Sequence, residues 1–254
     1  MHDPREGITP DGMIRTGATR GAIAPVYTSV LQAAMDATAA PGSLYLYGSV
    51  ATGTATPPTS DVDLLTVGLP ASEAERLSAE LSAAFADRCR EVSVAPARWE
   101  ELEGQSDEGY GLRVFLRHYC VHLAGADRSH DLPEFPADAR AARGFNGDIA
   151  QHLQRWRSAL DRDTEVARLG TRVARKTLLA VAGLVSVRDA AWSTDRRACA
   201  VRWNELEPAM RVDTLMAWLD TPPGDPDAIA AVLEGPVAAI VRAFEAEIGL
   251  WEHP

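Results

Sequence analysis

The stretch Ser43-Leu-Tyr-Leu-Tyr-Gly48-Ser49-Val-Ala-Thr-Gly53-Thr-Ala-Thr-Pro57-Pro58-Thr-Ser60-Asp61-Val-Asp63-Leu-Leu-Thr-Val-Gly68 carries more chemical information than any other part of this 254-residue chain. An apolar run ends in a Gly-Ser turn, a loop of small residues follows, and a second apolar run opens with Asp61-Val62-Asp63. Both runs have the length and bounding turn residues of strands, and Pro57-Pro58 interrupts any ladder between them. Side chains alternate along a strand, so Asp61 and Asp63, at i and i+2, are expected on one face. Two carboxylates held that close repel each other unless a cation lies between them, and hard oxygen ligands suit Mg²⁺.

Outward from this stretch the chain alternates helical and strand patterns. A helix is expected to start near Pro25, a residue suited to the first helical turn, and to run through Val30, Leu31, Ala34 and Met35 to Pro41-Gly42. After the second strand, Leu77, Leu81 and Phe85 repeat at helical spacing in a helix opened by Pro70-Ala71-Ser72 and ending near Asp87. Glu91-Val92-Ser93-Val94-Ala95 reads as a third strand, with Glu91 and Ser93 on one face. A short helix from Pro96 through Leu102, a loop from Gln105 to Gly111, a helix through Leu112, Phe115 and Leu116, and a last strand from His118 to Gly125 complete this part.

Residues 1–20 lack periodicity and are expected to be flexible. Residues 21–126 then form a mixed sheet with flanking helices, and the polar, Pro-containing residues 127–136 form a linker. Residues 137–254 read as a helical bundle, with helices over 137–160, 164–187, 195–206, around 210–219 and over 226–251, the last kinked at Gly235-Pro236. The fold class is therefore α+β followed by an all-helical half.

Composition narrows the function. A net charge of −11 lacks the basic footprint that a nucleic-acid polymer demands, and it would draw a cationic small molecule by long-range steering. No run approaches the roughly 20 apolar residues of a membrane span, and the N-terminus has no basic start with an apolar block, so a cytoplasmic protein is expected. Cys89, Cys120 and Cys199 are odd in number and lack metal-site spacing, so buried thiols are expected. His118, Cys120 and His122 alternate as strand residues on one face and imitate a metal site, but such sites draw on turns and separated segments, and a structural role is expected.

Gly48-Ser49, Gly53 and the pair Asp61-x-Asp63, eleven residues beyond Ser49, resemble the signature of the polymerase-β-like nucleotidyltransferase superfamily. The two-part layout looks most like the aminoglycoside adenylyltransferases, in which a catalytic domain is followed by a helical one. The resemblance implies a nucleotidyltransferase domain in which Gly48 and Ser49 bind the nucleotide phosphates and Asp61 and Asp63 hold one or two Mg²⁺. Glu91 resembles the third acidic residue of the family, a ligand of the second metal or the acceptor of the attacking hydroxyl's proton. It further implies ATP as substrate and a small cationic acceptor. Two alternatives share the motif: a nucleotidyltransferase that AMPylates a protein side chain, and a non-catalytic relative that senses nucleotide.

Other candidate site residues rest on chemistry alone. Arg172, Arg175 and Lys176, the only lysine, share a helix face at i, i+3 and i+4 and suit a triphosphate tail. Trp99, Trp192, Asp189 and Asp195, with Glu205, suit an aminocyclitol by stacking and ion pairing, although Ser193-Thr194-Asp195 also reads as a helix start. Glu101 and Glu103 are further carboxylates that read as a solvated helix face. Either a monomer or a homodimer is compatible with the pattern.

Overall fold

A computed structural model describes residues 3–38, 42–160 and 165–252. The chain divides into two compact units, one comprising Met1–Gln105 with Leu112–Phe135, the other Ser106–Gly111 with Pro136–Pro254.

The first unit is built on a four-stranded sheet. Its strands are β3 (Ser43–Tyr47), β4 (Val62–Val67), β5 (Val92–Ala97) and β6 (Val121–Ala124), in the order β5-β4-β3-β6. β4 and β5 run parallel, whereas β3 is antiparallel to both β4 and β6, so the sheet is mixed. The period-two alternation in the sequence sorts the faces. Leu44, Leu46, Val62, Leu64, Val92 and Val94 face helices α1 (Thr28–Ala37) and α3 (Ala71–Ala84), where they meet Val30, Leu31, Leu77 and Leu81. The opposite face presents Tyr45, Leu65 and Val67 to α4 (Trp99–Glu103) and to Leu112, Phe115 and Leu116 of α5 (Asp107–Tyr119). Core layers on both sides of the sheet hold its strands in register, because a slip by one residue would exchange the two sets of side chains.

Several sequence expectations need correction here. Residues 7–15, expected to be flexible, form the hairpin β1 (Gly7–Ile8) and β2 (Ile14–Arg15). Burial of Ile14 and the bond from its N–H to the Phe135 carbonyl (2.9 Å) anchor it. Arg5 adds bonds to the carbonyls of Gly17 (2.7 Å) and Thr52 (2.9 Å). Met1 and His2 lie outside the described residues. Phe135, assigned to a linker, is itself buried. The helix expected to begin at Leu112 starts at Asp107 and continues to Tyr119, so His118 is helical and β6 begins only at Val121. The α1 helix, led by a 3₁₀ turn at Pro25–Tyr27, ends at Ala37; its expected terminus at Pro41 lies outside the described residues.

The second unit is helical throughout. The expected helix over 137–160 is two, α6 (Ala139–Asn146), capped by the Asp138 carboxylate, and α7 (Ile149–Leu160), separated at Gly147-Asp148. α8 (Val166–Arg188) is the long central helix, and its expected start at Thr164 lies outside the described residues. α9 (Arg196–Leu206), α10 (Asp213–Ala217), α11 (Pro226–Val232) and α12 (Ala238–Glu247) complete the unit. A π-helical segment, Leu233–Val237, joins the last two at Pro236, whose missing N–H breaks the regular ladder where a kink was expected. Among the described residues, no helix is long and apolar enough to cross a membrane.

Candidate active site

The Gly-Ser turn follows β3 directly as a short helix, α2 (Gly48–Thr52). Gly48 has φ +74°, a conformation that L side chains rarely adopt, and any Cβ placed there would run into the Asp63 carboxylate, whose Cγ would be only 3.2 Å away. Gly53 closes the segment with the same φ, and its N–H and the N–Hs of Thr54 and Ala55 return to carbonyls of the α2 turn. Ser49 is buried at the start of this turn.

Strand register explains why the turn meets the acid. Tyr47, the last residue of β3, is opposite Asp63 on β4, so the residue after it is carried up against the Asp63 side chain. The Tyr47 ring rests edge-on against Phe115, with centroids 5.0 Å apart. Burial and the neighbouring Asp63 charge push the Tyr47 phenol well above its ordinary pKa, so it stays protonated beside the carboxylate.

Asp61 lies just outside the strand, which starts at Val62. Both of its oxygens accept from the Arg90 guanidinium, from Nε at 2.9 Å and Nη2 at 2.5 Å. The parallel ladder continues past the strand ends through Val62 N–H to the Glu91 carbonyl (2.9 Å) and Arg90 N–H to the Ser60 carbonyl (3.1 Å). The ladder proper pairs Val62 with Val92 and Asp63 with Ser93, so Asp61 and Glu91 each directly precede its first pair. Glu91 also precedes its strand, β5, and is exposed. It borders an open groove of about 520 Å³ of mixed polar and apolar lining, with Arg90, Ser93, Ser78, Ser82 and Val94.

Gly48, Ser49 and Asp63 are thus brought together, with Asp61 and Glu91 at the neighbouring strand entrances. Among the described residues, no three His, Cys, Asp or Glu side chains converge as a ready-made metal cage. The donors are nonetheless all hard carboxylate oxygens, and Mg²⁺ is ordinarily held by one or two carboxylates together with substrate phosphates and water, so Asp61 and Asp63 fit it. Arg90 and Tyr47 went unnoticed in the sequence. The parallel pairing that aims Arg90 at Asp61 is not visible in either segment alone.

Other sequence candidates have structural partners within their own units. Lys176 forms an ion pair with Asp148 (2.7 Å) and donates to the Phe145 carbonyl (3.0 Å), while His152 approaches the other Asp148 oxygen (3.1 Å). Burial raises the Asp148 pKa, but the His152 and Lys176 contacts outweigh it and hold the carboxyl below its ordinary range. Arg172 and Arg175 are exposed on α8. Asp189 is gripped by Arg202 at 2.8 and 3.1 Å, and Asp195 caps α9 by accepting from the N–Hs of Arg197 and Ala198. Trp192 is buried beside Phe145, and half-buried Trp99 packs over Gly68 with the Arg128 guanidinium 5.3 Å from its ring centroid. Glu205 pairs with Arg202, and Glu101 with Arg98.

His118, Cys120 and His122 do not share a strand face. His118 is on α5, where its Nε2 accepts from the Phe135 N–H at 2.9 Å, and only His122 is in a strand. The thiols of Cys89 and Cys199 are buried and that of Cys120 is partly buried, and the three lie in no disulfide.

A mixed sheet with a Gly-Ser turn seated on a strand carboxylate defines the class: residues 33–104 match the nucleotidyltransferase domain family, which spans β3, the turn, β4, α3 and β5. The chain therefore carries a nucleotidyltransferase domain, as the Gly48-Ser49 and Asp61-x-Asp63 pattern implied. Among solved structures, spectinomycin adenyltransferase AAD(9) from Enterococcus faecialis, with ATP and spectinomycin, is similar over 80% of this chain and 91% of its own at 11% identity and a TM-score of 0.46. A toxin-antitoxin with AMP-PNP is similar over 54% of this chain and 93% of its own, at 21% identity and a TM-score of 0.29. The tri-AMPylated Shewanella oneidensis HEPN toxin in complex with MNT antitoxin is similar over 54% and 92%, at 18% identity and a TM-score of 0.27. No curated protein matches the chain.

Proposed function

We propose that this protein moves a nucleoside monophosphate, AMP from ATP in the expected case, onto a hydroxyl of a small cationic acceptor such as an aminoglycoside and releases pyrophosphate. The observation that carries this reading is the seat of the Gly48 turn on Asp63, which sets backbone without a side chain next to a carboxylate. Phosphate needs the first feature and a divalent ion the second.

In the proposed reaction the acceptor oxygen attacks the α-phosphorus in line, the bond to the β-phosphate oxygen breaks, and pyrophosphate leaves. Gly48 lets the backbone approach the phosphates, and Ser49 offers its N–H and hydroxyl. Asp61 and Asp63 would hold Mg²⁺, which would neutralise phosphate charge. Glu91, exposed just before β5, takes the proton from the attacking hydroxyl. Arg172 and Arg175 are assigned to the charge of the triphosphate tail. Lys176 is engaged by Asp148 within its own unit, so we leave it a supporting role. The chain's net charge of −11 favours a cationic acceptor.

The test incubates the protein with Mg²⁺, each nucleoside triphosphate and a panel of aminoglycosides, and follows pyrophosphate and the mass of the acceptor. Pyrophosphate with an acceptor heavier by one nucleoside monophosphate is expected. Label on polypeptide instead would transfer the reading to protein AMPylation, and tight nucleotide binding with no product would make the protein a sensor.

A further inference from the structure

The Arg90–Asp61 pair lies where the proposed function needs a metal ligand, and nothing in the sequence motif accounts for it. The guanidinium addresses both Asp61 oxygens at 2.9 and 2.5 Å, the forked geometry that makes such pairs directional. Its backbone is pinned by the bond from Arg90 N–H to Ser60, so the fork is aimed by the ladder between the strand entrances. The two partners differ in freedom: the Arg90 side chain is 62% exposed and that of Asp61 26%. The arginine can therefore swing into solvent while the carboxylate stays, and an exposed pair of this kind is weak enough to be displaced. A divalent ion on Asp61 would meet a full positive charge already seated on the same oxygens.

We propose that Arg90 sets the metal affinity of the site by competing with the bare divalent ion for Asp61, so that a metal arriving with its nucleotide is favoured over the ion alone. The nucleotide supplies phosphate charge against which the displaced guanidinium can settle, whereas the bare ion supplies only repulsion. The inference rests on the assignment of Asp61 and Asp63 as metal ligands.

Mn²⁺ binding to the nucleotide-free full chain, read from the loss of the free-ion paramagnetic resonance signal, tests it in wild type, Arg90→Lys, Arg90→Gln and Asp63→Asn. Arg90→Lys keeps the charge but loses the fork, so both Arg90 variants are expected to bind Mn²⁺ about two- to fivefold more tightly than wild type. Tighter binding in Arg90→Gln alone would reduce the arginine to a general field and overturn the competition, as would unchanged affinity in both. Binding that survives intact in Asp63→Asn, or is absent from all four proteins, would overturn the ligand assignment and the competition with it.

Discussion

Gly48 lies against Asp63 so closely that a methyl group built on the glycine would overlap the carboxylate. Its φ of +74° adds a backbone preference to the steric one. Gly48→Ala is expected to cost about 1–3 kcal/mol of stability, and to displace the carboxylate from the turn. Thermal unfolding and pyrophosphate release are the measurements, and a variant with wild-type values of both would dissolve the relationship.

Asp63→Asn removes a charge without changing shape, so the fold should persist by circular dichroism while turnover falls at least about a hundredfold. Glu91→Gln separates the roles further: as the proton acceptor it should lower turnover by about 10²–10⁴ with nucleotide affinity retained. Loss of affinity in Glu91→Gln would identify it as a metal ligand instead.

On α8, Lys176 is paired with Asp148, while Arg172 and Arg175 are exposed and carry the proposed contact with the triphosphate. Lys176→Met leaves Asp148 without its ammonium partner and is expected to destabilise the protein by about 2–4 kcal/mol. Arg175→Ala touches an exposed side chain, so it should leave stability within about 0.5 kcal/mol and weaken ATP binding. Calorimetric titration with ATP decides the second point, and unchanged affinity in both Arg172→Ala and Arg175→Ala would remove the assignment.

His118 makes stability depend on pH. Burial, and secondarily Arg117, lower its pKa to about 4, and its Nε2 must be unprotonated to accept from Phe135. The unfolded chain, with a histidine pKa near 6.5, binds the proton more readily, so this contribution is present above about pH 6.5 and is lost as pH falls toward 4. With its partial exposure to solvent taken into account, the loss amounts to about 1–2 kcal/mol. Denaturant titrations at pH 7 and pH 5 should show this fall in wild type and a smaller one in His118→Gln; an equal fall in both would refute it.

The strand-turn-strand unit was legible in the sequence because each of its signals is local. The apolar run Leu44–Tyr47 ending in Gly48-Ser49 announces a strand and its turn, Gly53 follows in a loop of small residues, and Asp61-x-Asp63 follows at the distance of one loop. The cap of α9 at Asp195 and the irregularity at Pro236 were legible for the same reason, since a side chain or a missing N–H acts on its own neighbours in the chain. The N-terminal hairpin was not, because its anchor is Phe135, 121 residues beyond Ile14. Nor was the helical state of His118, where packing of α5 against the sheet outweighs the alternating pattern of residues 118–122.

For the site itself, sequence alone determined which groups are present: a glycine turn, a serine and carboxylates of the kind that phosphate and Mg²⁺ require. Tertiary structure decided how they meet. Antiparallel register sets Tyr47 opposite Asp63 and so drives Gly48 onto its carboxylate, while the parallel ladder brings Arg90 to Asp61. Residue identity fixes donors, acceptors and charge, but distance between segments far apart in the chain is fixed only by strand pairing and the packing that holds it.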